Sequence, residues 1–201
     1  MRIGALIFDI GNVLVPFDWK PFHNRLQSRC TNLTADTEKE FRQLMVRFDL
    51  GEMEGQMFSR LAVRTLGFQG DEEELVTIWN GIFGSNPPME RSIMALKDRF
   101  PLFLLSNTSD LHLAYLMQNY AVLQHFADGV YSFRAKCAKP DPRIFETAIK
   151  QFGLKPENTI YVDDLAPNVR SASDLGLKAI RYDLTNHAEF EQGLAELGIE
   201  I

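Results

Sequence analysis

Near its start the chain reads Ile3-Gly4-Ala5-Leu6-Ile7-Phe8-Asp9-Ile10-Gly11-Asn12-Val13-Leu14. The apolar residues before Asp9 predict a buried strand, and the glycine that follows predicts a turn. In an open parallel sheet, ligands bind just beyond the carboxyl ends of the strands. Asp9 is therefore placed to act as a nucleophile or a metal ligand, although an Asp at a strand end can also simply begin a turn.

Further strand patterns alternate with helical patterns in the second half of the chain. Strands are predicted over residues 102–105, 129–131, 159–162 and 178–182. One helix is predicted to begin after an N-cap at Asp141, with Pro142 at its first position, and another covers residues 167–175. This alternation predicts an α/β fold with a Rossmann-like parallel sheet covered by helices on both faces.

The stretch between residues 16 and 88 has a different character. It carries no strand pattern, but apolar residues recur at helical spacing, for example at Phe41, Leu44, Met45 and Phe48. We therefore predict an inserted helical bundle over residues 16–88. The core domain is predicted to comprise residues 1–15 and 89–201.

Composition restricts the partners and the location. The 201 residues are 45% hydrophobic, which allows a full core, and they carry a net charge of -6 with no cluster of Lys or Arg. We expect a small-molecule partner rather than a nucleic acid or a membrane surface; the oligomeric state stays open. The two cysteines form no disulfide or metal pattern, and no apolar run has the length of a membrane span, so we expect a cytoplasmic location.

Three polar groups follow later strands. Residues 106–110, Ser-Asn-Thr-Ser-Asp, can cap a helix, and free amides there can also bind phosphate. Lys139 lies on a loop beside Pro140, either solvated or directed at a phosphate or carboxylate. Asp163 and Asp164 form a capping pair or, since adjacent carboxylates repel each other, a site for Mg2+.

In type and order, these residues resemble the four motifs of the haloacid dehalogenase-like hydrolase superfamily over essentially the whole chain. The motifs are a nucleophilic Asp (Asp9), a Ser or Thr (Ser106), a Lys (Lys139) and an acidic pair (residues 163–164). The predicted helical insertion resembles the family's cap. Within the superfamily, the chain resembles the subgroup that contains sugar-1-phosphate phosphatases and the N-terminal phosphatase domain of soluble epoxide hydrolases.

The resemblance implies a Mg2+-dependent phosphatase acting on a small phosphometabolite, such as a sugar phosphate. Asp9 would attack phosphorus to form an aspartyl-phosphate that water hydrolyses. Lys139 would neutralise charge between the nucleophile and the phosphate. Ser106 and the amide of Asn107 would hold phosphoryl oxygens.

The resemblance also implies a metal site. Mg2+ would be bound by Asp9, the Gly11 carbonyl and Asp164, with Asp163 as a supporting residue. Phosphatases of this superfamily generally carry a second Asp two positions after the nucleophile, where this chain has Gly11. Gly11 cannot protonate a leaving group.

Two explanations are open for the glycine that stands in place of the second Asp. The substrate could be an activated phosphate, or another donor could act from the cap side, for which Asp18 and His23 are candidates by position. Phe17 and Trp19 could contact the substrate, whereas His112 is expected to have a structural role. Two alternative functions also stay open: a metal-independent dehalogenase-type hydrolase and a nearly inactive phosphometabolite-binding regulatory module.

Overall fold

Five parallel strands form the central sheet of the protein, whose computed structural model describes residues 3–201. The strands are β1 (Ala5–Phe8), β2 (Leu102–Ser106), β3 (Asp128–Tyr131), β4 (Thr159–Asp163) and β5 (Lys178–Arg181), in the spatial order β3-β2-β1-β4-β5. All five of these strands were predicted from the sequence, with ends that differ by one residue or a few. The α/β prediction is confirmed.

β1 lies in the middle of the sheet and brings the two halves of the chain together. Phe8 pairs with Leu104 of β2 on one side and with Val162 of β4 on the other. Because the strands are parallel, Asp9 leaves the sheet beside the ends of β2 and β4. The register thus places the carboxyl ends of β1, β2 and β4 next to one another, and each of these ends carries a polar residue.

Ten α-helices accompany the sheet within residues 3–201. They are α1 (Lys20–Arg29), α2 (Ala35–Asp49), α3 (Gly55–Leu66), α4 (Glu72–Asn80), α5 (Pro87–Leu96), α6 (Asp110–Asn119), α7 (Ser132–Ala135), α8 (Pro142–Gln151), α9 (Ala166–Asp174) and α10 (His187–Glu196). Short 3-10 turns cover Ala121–His125 and Pro156–Asn158. As predicted, Pro142 begins α8, and the Asp141 carboxylate caps it by accepting from the Arg143 amide at 3.0 Å.

Apolar side chains of the strands alternate between two buried clusters. Phe8 packs on one face with residues of α5, α6 and α10, whereas Ile7 packs on the other face with residues of α8 and α9. Strands covered on both faces are typical of parallel sheets. The helices therefore bury the strands on both faces of the sheet.

Helices α1 to α4, inserted between β1 and β2, share a third apolar cluster and are called the cap below. Its buried residues include many aromatic side chains, among them Phe22, Phe41, Phe48, Phe58 and Trp79. The inserted helical bundle is thus confirmed. The boundaries at residues 16 and 88 stay a prediction; α5, which follows, packs against the sheet through Met89 and Ile93.

Over residues 3–201, no helix combines the length and the apolar character needed to cross a membrane.

Candidate active site

Asp9, Lys139 and Asp163 meet at the carboxyl edge of the sheet. The Lys139 ammonium lies 2.9 Å from Oδ1 of Asp9 and 2.7 Å from Oδ2 of Asp163. The side chains of Lys139 and Asp163 are 1% and 0% exposed. Three charges brought together in a buried place interact strongly, because solvent screens them little.

Several contacts hold Lys139 in position. Its ammonium also donates to the Leu105 carbonyl at 2.8 Å. Its backbone amide donates to the Asn107 side chain at 2.8 Å, and its carbonyl accepts from the same side chain at 2.9 Å. Although burial alone would lower the pKa of Lys139, the charges of Asp9 and Asp163 raise it above its ordinary value. Lys139 is therefore a fixed cation.

Asp163 is saturated with hydrogen bonds from the protein. Its oxygens accept from the Asn168 side chain at 2.9 and 3.1 Å and from the Leu165 amide at 2.9 Å. The Tyr161 hydroxyl and Lys139 also donate to it. A carboxylate held in this way orients its neighbours.

Asp164 lies beside this group and is less enclosed. Its Oδ2 accepts from the Asn12 side chain at 3.3 Å, and Asn12 has the left-handed φ of 54° that Asn tolerates better than most residues. Burial and the charge of Asp163 raise the pKa of Asp164. One carboxylate oxygen from each of Asp9, Asp163 and Asp164 lies within 4.8 Å of the others. Such a set of hard oxygen donors fits Mg2+.

The carboxylate of Asp9 is itself strongly affected by its surroundings. Oδ1 accepts from the Ile10 amide at 2.7 Å. Burial raises the pKa of Asp9 to about 6, despite the lowering effect of Lys139, and the charge of Asp163 adds to the rise. A bound cation would favour the ionised form of Asp9.

Gly11 lies two residues beyond Asp9, and the ring of Phe17 crowds the position that a side chain would take there. A Cβ atom built on Gly11 would lie 2.9 Å from Cε1 of Phe17. The ring of Phe17 therefore fills the space that a residue with a side chain would need.

A cavity of about 310 Å3 lies between the cap and the sheet edge. Its core side is formed by residues 10–11 and 106–108, which include the predicted phosphate-binding residues Ser106 and Asn107. Its cap side is mostly aromatic and includes Phe17, Trp19 and Trp79. Phe17 and Trp19 are thus placed where a substrate contact was predicted.

Two polar residues of the cavity were not predicted as site residues. Asp49 is the last residue of α2, and burial raises its pKa to about 7. His112 of α6 stacks on Trp79 with ring centroids 4.7 Å apart, and burial lowers its pKa to about 4, so its ring is neutral at neutral pH. One signal in the sequence pointed to Asp49: an acidic side chain is disfavoured at a helix C-terminus.

The two proposed cap-side donors lie elsewhere. Asp18 is exposed, and its carboxylate accepts from the Lys20 amide at 2.9 Å. His23 is exposed on α1 and borders a separate groove of the cap. Neither residue lines the cavity beside Gly11, so the structure does not support them as proton donors there.

Comparison with known proteins gives consistent matches. The model of the haloacid dehalogenase-like hydrolase family matches residues 3–176. The D-ribitol-5-phosphate phosphatase of Bacteroides thetaiotaomicron is 23% identical over 201 residues, which cover 96% of this chain and 97% of that protein. A phosphatase of Mycobacterium tuberculosis is 27% identical over 194 residues, or 91% of this chain and 88% of that one.

A solved structure is also similar. The crystal structure of a wild-type HAD family enzyme of Bacteroides thetaiotaomicron, in complex with magnesium and inorganic phosphate, matches with a TM-score of 0.81. The two sequences are 23% identical, and the match covers 90% of this chain and 95% of that one. This likeness shows that the fold is shared.

Proposed function

The chain belongs to the haloacid dehalogenase-like hydrolases, and on this premise we propose that it is a Mg2+-dependent phosphatase of small phosphate esters that acts through an aspartyl-phosphate at Asp9. The observation that carries the proposal is the contact of Lys139 with both Asp9 and Asp163 at the sheet edge. A buried cation beside a carboxylate is suited to bring a phosphate dianion up to a negatively charged nucleophile.

In the proposed reaction, a carboxylate oxygen of Asp9 attacks phosphorus while the bond to the ester oxygen breaks. Water then attacks the aspartyl-phosphate, which releases inorganic phosphate and restores Asp9. Lys139 stabilises the charge that collects between nucleophile and phosphoryl group. Ser106 and the backbone amide of Asn107, both at the cavity, would hold phosphoryl oxygens.

The proposed metal ligands are Asp9, the Gly11 carbonyl and Asp164. Their chemistry fits the ion, because carboxylate oxygens are ligands that Mg2+ prefers and three carboxylates meet at this edge. Lys139 contacts two of them, so one ammonium faces three carboxylates. Asp163 would support the site, because its oxygens already accept hydrogen bonds from Asn168 and Lys139. When bound, Mg2+ would offset the charge of the transferring phosphoryl group.

For the substrate we propose a phosphorylated sugar or polyol. A cavity of about 310 Å3 accommodates a ligand of that size, and aromatic walls with few polar groups suit the apolar faces of a sugar. The name of the D-ribitol-5-phosphate phosphatase supports this class. The cytoplasmic location stays a prediction.

A phosphate-release screen tests the proposal. Sugar, polyol, nucleotide and acyl phosphates are incubated with the purified protein and Mg2+, with Asp9→Asn as the blank. We expect release by the wild type that requires Mg2+ and is stopped by a chelator, and no release by the blank. Equal release by both proteins would overturn the role of Asp9.

The same screen separates the alternative functions. Halide release from 2-haloacids that persists in a chelator would indicate a metal-independent dehalogenase. Binding of phosphate esters without release of phosphate would indicate a regulatory module. The carboxylate cluster favours the metal-dependent phosphatase over the first of these.

A further inference from the structure

Related phosphatases carry an acidic residue two positions after the nucleophile, where this protein has Gly11. An acidic side chain would not fit there without rearrangement. Gly11 has no side chain, and the Phe17 ring lies 2.9 Å from the place of a Cβ atom. An alkoxide such as that of a sugar is a poor leaving group unless it is protonated as it departs. If the substrate is a sugar phosphate, a proton donor must reach the cavity from another element.

Asp49 is the carboxyl group that lines this cavity together with Gly11 and Ser106. It is half-buried at the end of α2. Among residues 3–201, no hydrogen-bond donor and no cation contacts its side chain. A desolvated carboxyl without a partner is free to exchange a proton with a ligand in the cavity.

The core fixes the turn that follows Asp49. The Ser132 hydroxyl donates to the Asp49 carbonyl at 2.6 Å and accepts from the Thr108 amide at 3.0 Å, which ties the end of α2 to the loop after β2. Two further contacts hold the turn: the Lys136 ammonium donates to the Gly51 carbonyl, and residue 55 donates its amide to the Asp110 carboxylate at 3.0 Å. Asp49 is thus held against the phosphate-binding loop even though it belongs to the cap.

The surroundings of Asp49 favour its protonated form. Burial raises its pKa to about 7, and the negative end of the α2 dipole acts in the same direction. Four charged groups near this turn are engaged elsewhere: Arg47 with Glu52 at 2.7 Å, and Lys136 and Asp110 with the backbone as described. Arg134 lies over the rings of Tyr131 and Phe133, and Glu54 is the charged residue that precedes α3. His112, the other titratable side chain of the cavity wall, is neutral at neutral pH.

We propose that Asp49 is the general acid of this enzyme and replaces the acid that Gly11 cannot supply; this inference rests on the proposed phosphatase activity. As the Asp9 oxygen bonds to phosphorus, the P–O bond to the leaving group breaks, and the leaving oxygen takes the proton of the Asp49 carboxyl. The Asp49 carboxylate then accepts a proton from the water that attacks the aspartyl-phosphate. The net reaction consumes one ester and one water and yields one alcohol and one phosphate.

The test compares Asp49→Asn with the matched variant Asp18→Asn, whose exposed carboxylate lies outside the cavity. The substrates are p-nitrophenyl phosphate, which has a good leaving group, and the alkyl phosphate that the wild type hydrolyses best. For Asp49→Asn we expect kcat/KM on the alkyl phosphate to fall by about 10²–10⁴-fold, with only a few-fold change on p-nitrophenyl phosphate. Asp18→Asn should match the wild type on both.

A pH profile supplies a readout that a structural role of Asp49 would not change. Because the acid must be protonated, wild-type kcat/KM on the alkyl phosphate should decline above about pH 7, and in Asp49→Asn this decline should be absent. Equal losses on both substrates, no loss on either, or a wild type that hydrolyses only aryl phosphates would each overturn the proposal. Undiminished activity of Asp9→Asn would instead overturn the proposed function itself.

Discussion

The sheet edge and the cap end of the neighbouring cavity differ in how their polar groups are satisfied. At the sheet edge, Lys139 contacts both Asp9 and Asp163, and Asn168 also donates to Asp163. At the cap end the wall is mostly aromatic, and the Asp49 carboxyl has no donor or cation among residues 3–201.

This difference suits the two regions to different tasks, charge stabilisation at the sheet edge and proton transfer at the cap end. Groups fixed in advance stabilise charge in a transition state without reorganising, which suits the sheet edge to the phosphoryl group. A carboxyl whose proton is not engaged elsewhere suits transfer to a leaving group. In the proposed reaction, the strand ends would meet the phosphoryl group of every ester, whereas the cap would meet only the leaving group.

Removal of the Lys139 charge should have the largest effect, because Lys139 contacts both Asp9 and Asp163 at the sheet edge. We expect Lys139→Met to lower kcat/KM by about 10²–10³-fold on every phosphate ester. The loss of a buried partner should also lower the free energy of unfolding by about 3–5 kcal/mol. Steady-state kinetics and urea unfolding measure these effects, with the exposed Lys155→Met as control. Normal activity of Lys139→Met would show that the fixed charge is dispensable.

Asp164→Asn should weaken the proposed metal site while it leaves the Lys139 contacts in place. We expect the Mg2+ concentration for half-maximal activity to rise by about 10- to 100-fold. In thermal unfolding without substrate, Mg2+ should raise the Tm of the wild type more than that of the variant, because a ligand stabilises the state that binds it. The exposed Asp174→Asn is the control. If Mg2+ stabilises both proteins equally, Asp164 is not a ligand.

Phe17 packs against Gly11 in the wall of the cavity. Gly11→Ala should lower the free energy of unfolding by about 1–3 kcal/mol, since the added methyl group overpacks the site. This cost should be smaller in a Phe17→Leu background. The difference between the two costs is the coupling energy between residues 11 and 17. Gly84→Ala, whose Cβ atom would lie 3.9 Å from its nearest neighbour, is the matched control. An unchanged cost in the Phe17→Leu background would contradict this packing.

The smallest expected effect is the pH dependence of stability at the cap end. The pKa of Asp49 is raised from 3.8 to about 7, so the native state binds more protons than the unfolded state between these values. Stability should therefore decline as pH rises through this window, and Asp49→Asn should reduce that decline by about 1–3 kcal/mol. Urea unfolding at pH 5 and pH 8 measures it, with Asp18→Asn as control. Identical pH dependence in both variants would show that Asp49 is not desolvated.

The sheet edge could be predicted from the sequence because local pattern defines it. Apolar runs fix the strands, and the residue that follows each run must lie at the carboxyl edge once the strands are parallel. Asp9, Ser106 and the pair at residues 163–164 follow this rule. Lys139 does not end a strand. The N-cap of α8 at Asp141 marks the end of its loop in the sequence, and contacts with Asn107 hold the loop at the sheet edge.

The cap end could not be predicted, because it depends on how separate helices pack on the sheet. An acidic residue at the end of α2 is unusual, but this signal does not say what Asp49 faces. The contacts of Ser132, Lys136 and Asp110 with the end of α2 and the turn that follows place it at the cavity. His112 appears as an ordinary helix residue until Trp79 stacks on it. Asp18 and His23 are close to the first motif in sequence, yet neither lines the cavity. Asp18 is exposed although its neighbours Phe17 and Trp19 line the cavity, and His23 borders a separate groove of the cap.

The central claim is that Asp9 carries the phosphoryl group, and identification of the modified residue tests it most directly. The protein is mixed with p-nitrophenyl phosphate and Mg2+, quenched during the burst of nitrophenol release, and treated with borohydride, which reduces an aspartyl-phosphate to homoserine. Peptide mass spectrometry should find homoserine at position 9 and at no other Asp. A burst of nitrophenol with unmodified Asp9, or with the modification at another residue, would contradict the account.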